Sequence, residues 1–196
     1  LTFENLALTM SGGMALTQDA AERWAEVTDC KVYEGYGLTE TSPTATSNPG
    51  NGRQLGTIGI PVPQTEVKTV NEQGETLGFG DAGELCIKGP QVMQGYWQRP
   101  EATAEVLDES GWFSTGDVAV IQPDGYLKIV DRIKDMIIVS GFNVYPNEIE
   151  NVITSHPDVL ECAVVGVKND KTGEAVKAVV VRSNSDLTEA ELTAFC

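Results

Sequence analysis

The spacing of hydrophobic and polar positions changes twice along this chain, near residues 50 and 132. A short apolar run at residues 6–9 ends at Ser-Gly-Gly, which is typical of a strand that enters a turn. Residues 17–27 have helical spacing, and residues 31–33 predict a second strand that runs into a glycine turn at 35 and 37. This order predicts one β-α-β unit, the end of an α/β subdomain over residues 1–50. The apolar stripe predicted for its helix is Leu16, Ala20, Trp24 and Val27.

Between residues 51 and 132 short apolar strands alternate with glycine and proline turns. The sequence Gln-Pro-Asp-Gly at residues 122–125 is a strong hairpin signal between two such strands. Even spacing of this kind favours a small, distorted β-barrel subdomain. The predicted strands occupy residues 56–59, 65–68, 83–88, 118–121 and 126–130.

The pattern after residue 132 predicts an α+β C-terminal domain over residues 133–196. Residues 136–139 form an apolar strand, and Pro146 followed by acidic residues marks the start of a helix. Two further apolar runs, residues 159–167 and 175–182, predict a pair of strands. The buried side predicted for the helix is Ile149, Val152 and Ile153.

A last helix is predicted from Thr188, because Glu191 three residues further on completes a capping box. It reaches Cys196 without a glycine stop or a basic last turn, and the first residue of the chain is not Met. We therefore expect the chain to be part of a longer protein, with its C-terminal domain incomplete here.

The acidic composition narrows the range of partners. The formal net charge is -16, and such a surface repels nucleic acid, so no nucleic-acid partner is expected. The four cysteines form no C-x-x-C pair, which argues against a zinc site and fits a reducing compartment. His156, the only histidine, is interpreted as a helix-end residue, which argues against His-dependent catalytic triads. Binding of ATP remains compatible with the negative net charge, because the phosphates of ATP contact local donors and Mg²⁺.

The sequence Tyr36-Gly37-Leu38-Thr39-Glu40 combines groups that suit a nucleotide. Glycines at 35 and 37 let the backbone approach a ligand closely. An aromatic ring can cover a base, a hydroxyl can bond phosphate oxygens, and a carboxylate can hold Mg²⁺. A strand and turn with polar surface groups explains the same residues, and the pentapeptide alone does not decide between the two.

Two more motifs contain charged residues that are candidates for ligand binding or catalysis. In Ser114-Thr115-Gly116-Asp117 a carboxylate on a tight turn can accept from both ribose hydroxyls, although an Asp after Gly more often caps a turn. The run Asp131-Arg132-Ile133-Lys134 lies between apolar strands and marks a link between two folded pieces, although most such runs are solvated. Four aromatic residues could form a stacking surface, but core packing is the preferred interpretation for them: Tyr96, Trp97, Trp112 and Phe113.

The order and spacing of these motifs resemble those of the adenylate-forming enzymes, and most of all the bacterial long-chain fatty-acid–CoA ligases. The likeness extends over essentially the whole chain, including residues 111–138 and the sequence SGFNVYPNEIE at residues 140–150. It implies a multi-part fold of α/β and α+β type: the end of an α/β subdomain, a small β-barrel subdomain, and a C-terminal α+β domain.

The resemblance also implies roles for single residues. Tyr36 is placed on the adenine, Thr39 on the phosphates and Glu40 on the metal ion, while Asp117 and Arg132 contact the ribose. The implied nucleotide-binding residues are Gly12, Gly13, Gly35, Tyr36, Gly37, Thr39, Asp117 and Arg132.

In the C-terminal part the resemblance makes Lys134 the hinge about which that domain rotates, and it places Ser140 and Gly141 beside the pantetheine path of CoA. Thr39, Glu40 and Lys134 are the residues to which it gives a catalytic role. The implied reaction has two steps: a fatty acid and Mg-ATP give acyl-adenylate and pyrophosphate, and CoA then displaces AMP. The implied cofactors and substrates are ATP, Mg²⁺, CoA and a fatty acid.

Several points stay open at this stage. The acid could be aryl or medium-chain, and the chain could be an adenylate-binding domain without turnover. The phosphate loop and the C-terminal lysine of the family fall outside these residues, so the isolated chain is not expected to catalyse adenylation. The resemblance implies a cytoplasmic protein and leaves open a peripheral contact with the inner membrane face and a homodimer.

Overall fold

The chain divides between Ile129 and Val130 into two units, each with its own hydrophobic core. The structure is a computed structural model that describes residues 3–196, so residues 1 and 2 of the first predicted segment lie outside the described residues. The division falls slightly before the predicted boundary at residue 132. A separate subdomain over residues 1–50 stays a prediction.

The first unit begins with the predicted β-α-β arrangement. Strands β1 (Thr9–Ser11) and β2 (Val32–Gly37) are parallel, and helix α1 (Gln18–Thr28) connects them. Strands β3 (Thr44–Ser47) and β4 (Ile60–Pro61) add antiparallel pairs, which gives the order β1-β2-β3-β4. The β-α-β prediction is therefore confirmed.

The predicted buried stripe of α1 is wrong in phase. Ala21 and Thr28 are buried, whereas Trp24 and Val27 are exposed. Small side chains let a helix lie close to a sheet, so the larger apolar residues fall outside that contact. The indole N–H of Trp24 instead donates to Thr9 Oγ1 at 3.1 Å.

The second sheet of this unit is antiparallel and open. Its strands β5 (Glu66–Val70), β6 (Ala82–Lys88), β7 (Phe113–Ile121) and β8 (Leu127–Arg132) lie in the order β5-β6-β7-β8, and the turn at residues 122–125 joins the last two. The small, distorted β-barrel that the sequence predicts does not form a closed barrel in residues 3–196.

The edge of β8 explains why this sheet does not close on itself. Ile58 N–H donates to Leu127 O at 2.8 Å, and Leu127 N–H donates to Gly59 O at 2.9 Å. The segment before β4 therefore occupies the edge that β5 would need for closure. A helix that the sequence analysis did not predict, α2 (Pro100–Val106), precedes β7.

The core of the first unit joins its two sheets. Ala45 from β3 is fully buried together with residues of the second sheet, and Tyr36 packs against the same cluster. Tyr36 is thereby placed beside β6 and β7. The buried residues from the second sheet are Leu85, Ile87, Ala119 and Leu127.

The second unit is an α+β arrangement, as predicted. It contains one antiparallel sheet in the order β10-β9-β12-β11. Ile149 and Ile153 contribute to its core, but Val152 is exposed, so the predicted buried side of the first helix is only partly correct. No helix in residues 3–196 is long and apolar enough to cross a membrane. Its elements are β9 (Ile137–Val139), β10 (Phe142–Val144), α3 (Pro146–Thr154), β11 (Val159–Asn169), β12 (Gly173–Arg182) and α4 (Glu189–Phe195).

Glu34 on β2 is a buried carboxylate that should make the stability of the first unit depend on pH. Its Oε2 accepts a hydrogen bond from Gly56 N–H at 2.9 Å. Burial raises the pKa of Glu34, although that hydrogen bond and the charge of Arg53 act in the opposite direction. Because the folded state favours the protonated carboxyl, ionisation reduces stability as the pH rises above the unfolded pKa of about 4.3.

We therefore expect Glu34→Gln to raise the free energy of unfolding by an amount that grows from pH 4 to pH 7. The amide oxygen of glutamine can still accept from Gly56, while the buried charge is removed. Urea unfolding at several pH values measures this difference, and Glu72→Gln on the exposed surface is the matched control. A difference that does not change with pH would contradict the prediction.

Candidate functional site

The carboxyl ends of the parallel strands β1 and β2 bring two predicted site segments side by side. Ser11 pairs with Glu34, and a Cβ atom placed on Gly12 would lie 3.1 Å from the carbonyl oxygen of Gly35. Gly13 has φ +86°, a conformation that favours glycine. Ligands of open α/β sheets bind outside the carboxyl ends of the strands, so the position suits the predicted role of Gly12 and Gly13.

Gly35 and Gly37 lie on strand β2, which extends beyond its predicted end at residue 33. A Cβ atom on Gly35 would be 3.1 Å from Thr46 O, and one on Gly37 would be 1.6 Å from Pro43 O. Gly37 is thus needed for the close approach of the returning chain, whereas a side chain at Gly35 would be tight and would require a small shift of Thr46. This packing reason does not depend on a ligand, and their contact with nucleotide stays a prediction.

The structure brings Tyr36 and Asp117 into direct contact. The Tyr36 hydroxyl donates to Asp117 Oδ2 at 2.5 Å, although the two residues are 81 positions apart. Asp117 is only 4% exposed. The residue predicted to cover the base and a residue predicted to bind the ribose therefore share one region of the first unit.

Asp117 is positioned by a β-bulge and not by the predicted turn. Glu84 lies opposite Val118 and Cys86 lies opposite Ser114, so β7 has extra residues between these pairs. Gly116 has φ +73° within the bulge, and its N–H donates to Glu84 Oε1 at 3.1 Å. Bulges redirect side chains and are frequent beside active sites. Serine, glycine and aspartate suit bulges as well as turns, which is why the sequence suggested a turn.

Thr41 organises the segment that carries Thr39 and Glu40. Residues Thr39–Thr41 form a short 3₁₀ helix after β2. Thr41 is fully buried, and its Oγ1 accepts from Leu38 N–H at 2.9 Å and donates to Pro43 O at 2.5 Å. Thr39 is exposed and Glu40 is half-buried as a result. The sequence analysis assigned no role to Thr41, because a buried threonine cannot be distinguished from an exposed one in this polar segment.

Glu40 is held from a second segment of the chain. The Tyr96 hydroxyl donates to Glu40 Oε1 at 2.8 Å, and Met93 N–H donates to Glu40 O at 2.7 Å. The hydrogen bond to this carboxylate raises the pKa of Tyr96. Tyr96 and Trp97 are exposed, so their interpretation as core residues is wrong, whereas Phe113 is buried as expected.

The donors near Glu40 can be tested against Mg²⁺. The described residues contain no group of three or more His, Cys, Asp or Glu side chains that could hold a metal ion by itself. Mg²⁺ in nucleotide sites is commonly bound by one or two carboxylates together with substrate phosphates and water. A single half-buried carboxylate at Glu40 therefore fits Mg²⁺ that arrives with ATP.

The second unit carries the remaining predicted site residues. Arg132 and Lys134 are exposed, with Lys134 in a short 3₁₀ helix, Ile133–Asp135. Asp131 is buried and accepts from Arg132 N–H at 2.8 Å and from Asn147 N–H at 3.0 Å. Asp131 thereby caps the first turn of α3, a structural role that the sequence analysis missed.

Ser140 and Gly141 form the two-residue turn between β9 and β10. Val139 pairs with Phe142, and both turn residues have positive φ, 52° and 84°. Such hairpin turns favour glycine and a few small polar residues. The turn accounts for the sequence Ser-Gly on structural grounds, and the contact with CoA stays a prediction.

Two family models match this chain. The model described as AMP-binding enzyme matches residues 2–97, and the model described as AMP-binding enzyme C-terminal domain matches residues 148–196. Residues 98–147, which contain Asp117 and Lys134, lie between the two matches.

Curated relatives align with nearly all of the chain. It is 53% identical to a long-chain-fatty-acid–CoA ligase of Escherichia coli, and the alignment covers 100% of this chain and 35% of that relative. It is 41% identical to a feruloyl-CoA synthase of an Amycolatopsis species, with 95% of this chain and 38% of the relative covered. The chain thus spans about a third of the length of the curated relatives it matches.

Solved structures also align with nearly all of the chain. The crystal structure of ATP-bound MatB from Rhodopseudomonas palustris matches 96% of this chain and 38% of its own chain, with a TM-score of 0.89 and 41% identity. The mixed α/β and α+β fold is therefore shared with a protein crystallised with ATP.

Proposed function

Because this chain belongs to the AMP-binding enzyme family, we propose that the protein containing it is an acid–thiol ligase, which joins a long-chain fatty acid to CoA through an acyl-adenylate. The observation that carries the nucleotide part of this proposal is the contact between Tyr36 and Asp117. Two motifs from distant parts of the sequence meet there, at the carboxyl ends of parallel strands.

The residues of the first unit suit the binding of ATP. The ring of Tyr36 would cover the adenine, the Asp117 carboxylate would accept from ribose hydroxyls, and the exposed Thr39 hydroxyl would donate to a phosphate oxygen. Glu40 would hold Mg²⁺ that accompanies the phosphates. Bound Mg-ATP supplies the AMP leaving group that turns a carboxylate into a reactive acyl donor, with the metal ion balancing phosphate charge.

Further assignments in the second unit rest on the family resemblance and belong to the same proposal. They are a ribose contact by Arg132, a hinge at Lys134 and a place for CoA beside Ser140 and Gly141. We also propose a cytoplasmic location, whereas membrane association and a homodimer stay open.

The identity values favour a fatty acid as the substrate over an aryl acid. The chain is 53% identical to the fatty-acid enzyme and 41% identical to the feruloyl enzyme. The likeness to the feruloyl enzyme still covers 95% of this chain, so an aryl-CoA ligase is the second candidate.

Acyl-CoA formation by the complete protein tests the proposal. The assay supplies Mg-ATP, CoA and acids from acetate to oleate together with ferulate, and the Asp117→Asn variant serves as the low-activity control. We expect the highest kcat/KM with long-chain acids. A preference for ferulate would keep the chemistry and discard the fatty acid, and a folded protein that is inactive with all the acids would contradict a ligase.

A further inference from the structure

A segment before helix α2 holds Glu40 at two points. The Tyr96 hydroxyl donates to the Glu40 side chain at 2.8 Å, and Met93 N–H donates to the Glu40 carbonyl oxygen at 2.7 Å. The segment therefore fixes both the backbone and the carboxylate of the residue. A chance contact of an exposed tyrosine would fix only the side chain.

The same segment is itself fastened to α2. Tyr96 N–H donates to Thr103 Oγ1 at 2.9 Å, and that hydroxyl donates to Arg99 O at 2.9 Å. Gly95, with φ +145°, packs so closely that an added Cβ would lie 2.8 Å from Thr103 Cγ2. The position of Tyr96 is thus set by its own surroundings, and Glu40 contacts a tyrosine that is already placed.

We propose that Tyr96 is a positioning residue that presents the Glu40 carboxylate to Mg²⁺ through the oxygen that Tyr96 does not contact. The inference rests on the proposed function, because it takes Glu40 as the Mg²⁺ ligand. Tyr96 contacts Oε1, so Oε2 is the atom assigned to the cation. Tyr96 itself contacts neither the metal ion nor the nucleotide.

The coordination chemistry of Mg²⁺ supports assigning one oxygen of the Glu40 carboxylate to Tyr96 and the other to the cation. Mg²⁺ requires near-octahedral geometry and usually takes few protein ligands beside phosphates and water. A carboxylate that is free to rotate would lose conformational freedom when it binds the cation. A carboxylate with one oxygen already held by a hydroxyl has its orientation fixed before binding. Residues that orient a metal ligand in this way typically change metal affinity or activity by about 10–100-fold when they are mutated.

The experiment compares Mg-ATP with AMP, which needs no metal ion to bind. Dissociation constants of the complete protein are measured by calorimetry without fatty acid, for ATP at saturating Mg²⁺ and for AMP with no divalent cation. Since Tyr96 is partly exposed, we expect Tyr96→Phe to weaken Mg-ATP binding about tenfold, at the low end of that range. Binding of AMP should stay unchanged.

Two further variants make the outcome specific. Tyr33→Phe is the matched control, because it removes a hydroxyl that donates to Gly50 O at 3.3 Å in the same unit, and it should leave both affinities unchanged. In a Glu40→Gln background Tyr96→Phe should have no additional effect on Mg-ATP binding, since its action passes through that carboxylate.

The remaining results would overturn the inference, and they separate it from the proposed function. If Glu40→Gln weakens Mg-ATP binding and Tyr96→Phe does not, only the role of Tyr96 is wrong. If Tyr96→Phe weakens AMP and Mg-ATP equally, Tyr96 supports the fold and not the metal ligand. If Glu40→Gln changes neither affinity, the metal assignment in the proposed function fails, and the role of Tyr96 fails with it.

Discussion

Replacing Asp117 with asparagine is expected to weaken ATP binding by the complete protein about a hundredfold. The buried carboxylate already accepts from the Tyr36 hydroxyl, and in the proposed complex it also accepts from ribose hydroxyls. Asparagine keeps the shape but has only one acceptor oxygen, and its NH₂ group cannot accept. Hydrogen bonds to a charged group contribute about 1.5–3 kcal/mol each, so the loss of one or two is consistent with this factor.

The ribose itself provides the control for this prediction. Binding of ATP and of 2′,3′-dideoxy-ATP is measured for the wild type and for Asp117→Asn, and thermal unfolding of both proteins checks that the variant is folded. The wild type should prefer ATP strongly, and the variant should distinguish the two nucleotides much less. A folded variant that retains the full preference for ATP would show that Asp117 does not bind the ribose.

The effect of Tyr36→Phe on ATP affinity distinguishes the positioning of Asp117 by the Tyr36 hydroxyl from the direct binding of ATP by Asp117. This variant keeps the ring for the adenine and removes the hydroxyl that donates to Asp117. The carboxylate keeps its charge and its two acceptor oxygens, so the loss of ATP affinity should be smaller than for Asp117→Asn.

The parts of the fold that the sequence predicts well depend on neighbouring residues. The capping box of Thr188 with Glu191, the helix start at Pro146 and the hairpin turn at residues 122–125 are all set within a few residues. The parallel pairing of β1 and β2 follows equally from their short helical connection. For these elements local chemistry and the final structure agree.

The sequence-based predictions are wrong where contacts between distant segments determine the local structure. Barrel closure depends on which segment pairs with the edge of β8, and in this structure the segment containing Gly59 occupies that edge. The bulge at Gly116 depends on the register against β6, which the residues of β7 alone do not specify. The position of Tyr96 beside Glu40 joins residues 56 positions apart, so no local pattern indicated it.

The candidate site shows the same difference between what neighbouring residues and what distant segments determine. The motifs supplied Tyr36 and Asp117 as separate candidates, each with an ordinary structural explanation. Their contact is a fact of the fold, because the core cluster of the first unit places β2 beside β7. Conversely, the fold gives Gly37 a packing role that the motif did not suggest.

That packing role leads to the second large expected effect, a loss of stability in Gly37→Ala. The added Cβ would lie 1.6 Å from the carbonyl oxygen of Pro43 and 2.5 Å from its carbonyl carbon, so the backbone itself must move. Overpacking of this kind typically costs about 1–3 kcal/mol. Because the clash involves backbone on both sides and no flexible side chain can yield, we expect a cost near the upper end, about 3 kcal/mol.

The movement required by Gly37→Ala must also displace the residues that follow. Thr41 Oγ1 donates to Pro43 O, so a shift of Pro43 disturbs the 3₁₀ helix that presents Thr39 and Glu40. ATP binding should therefore fall together with the unfolding temperature. Gly50→Ala is the matched control, because an added Cβ there meets no atom within 4 Å and its φ is not positive. If Gly37→Ala were as stable as Gly50→Ala, the close approach of β2 to Pro43 would not be a property of the folded protein.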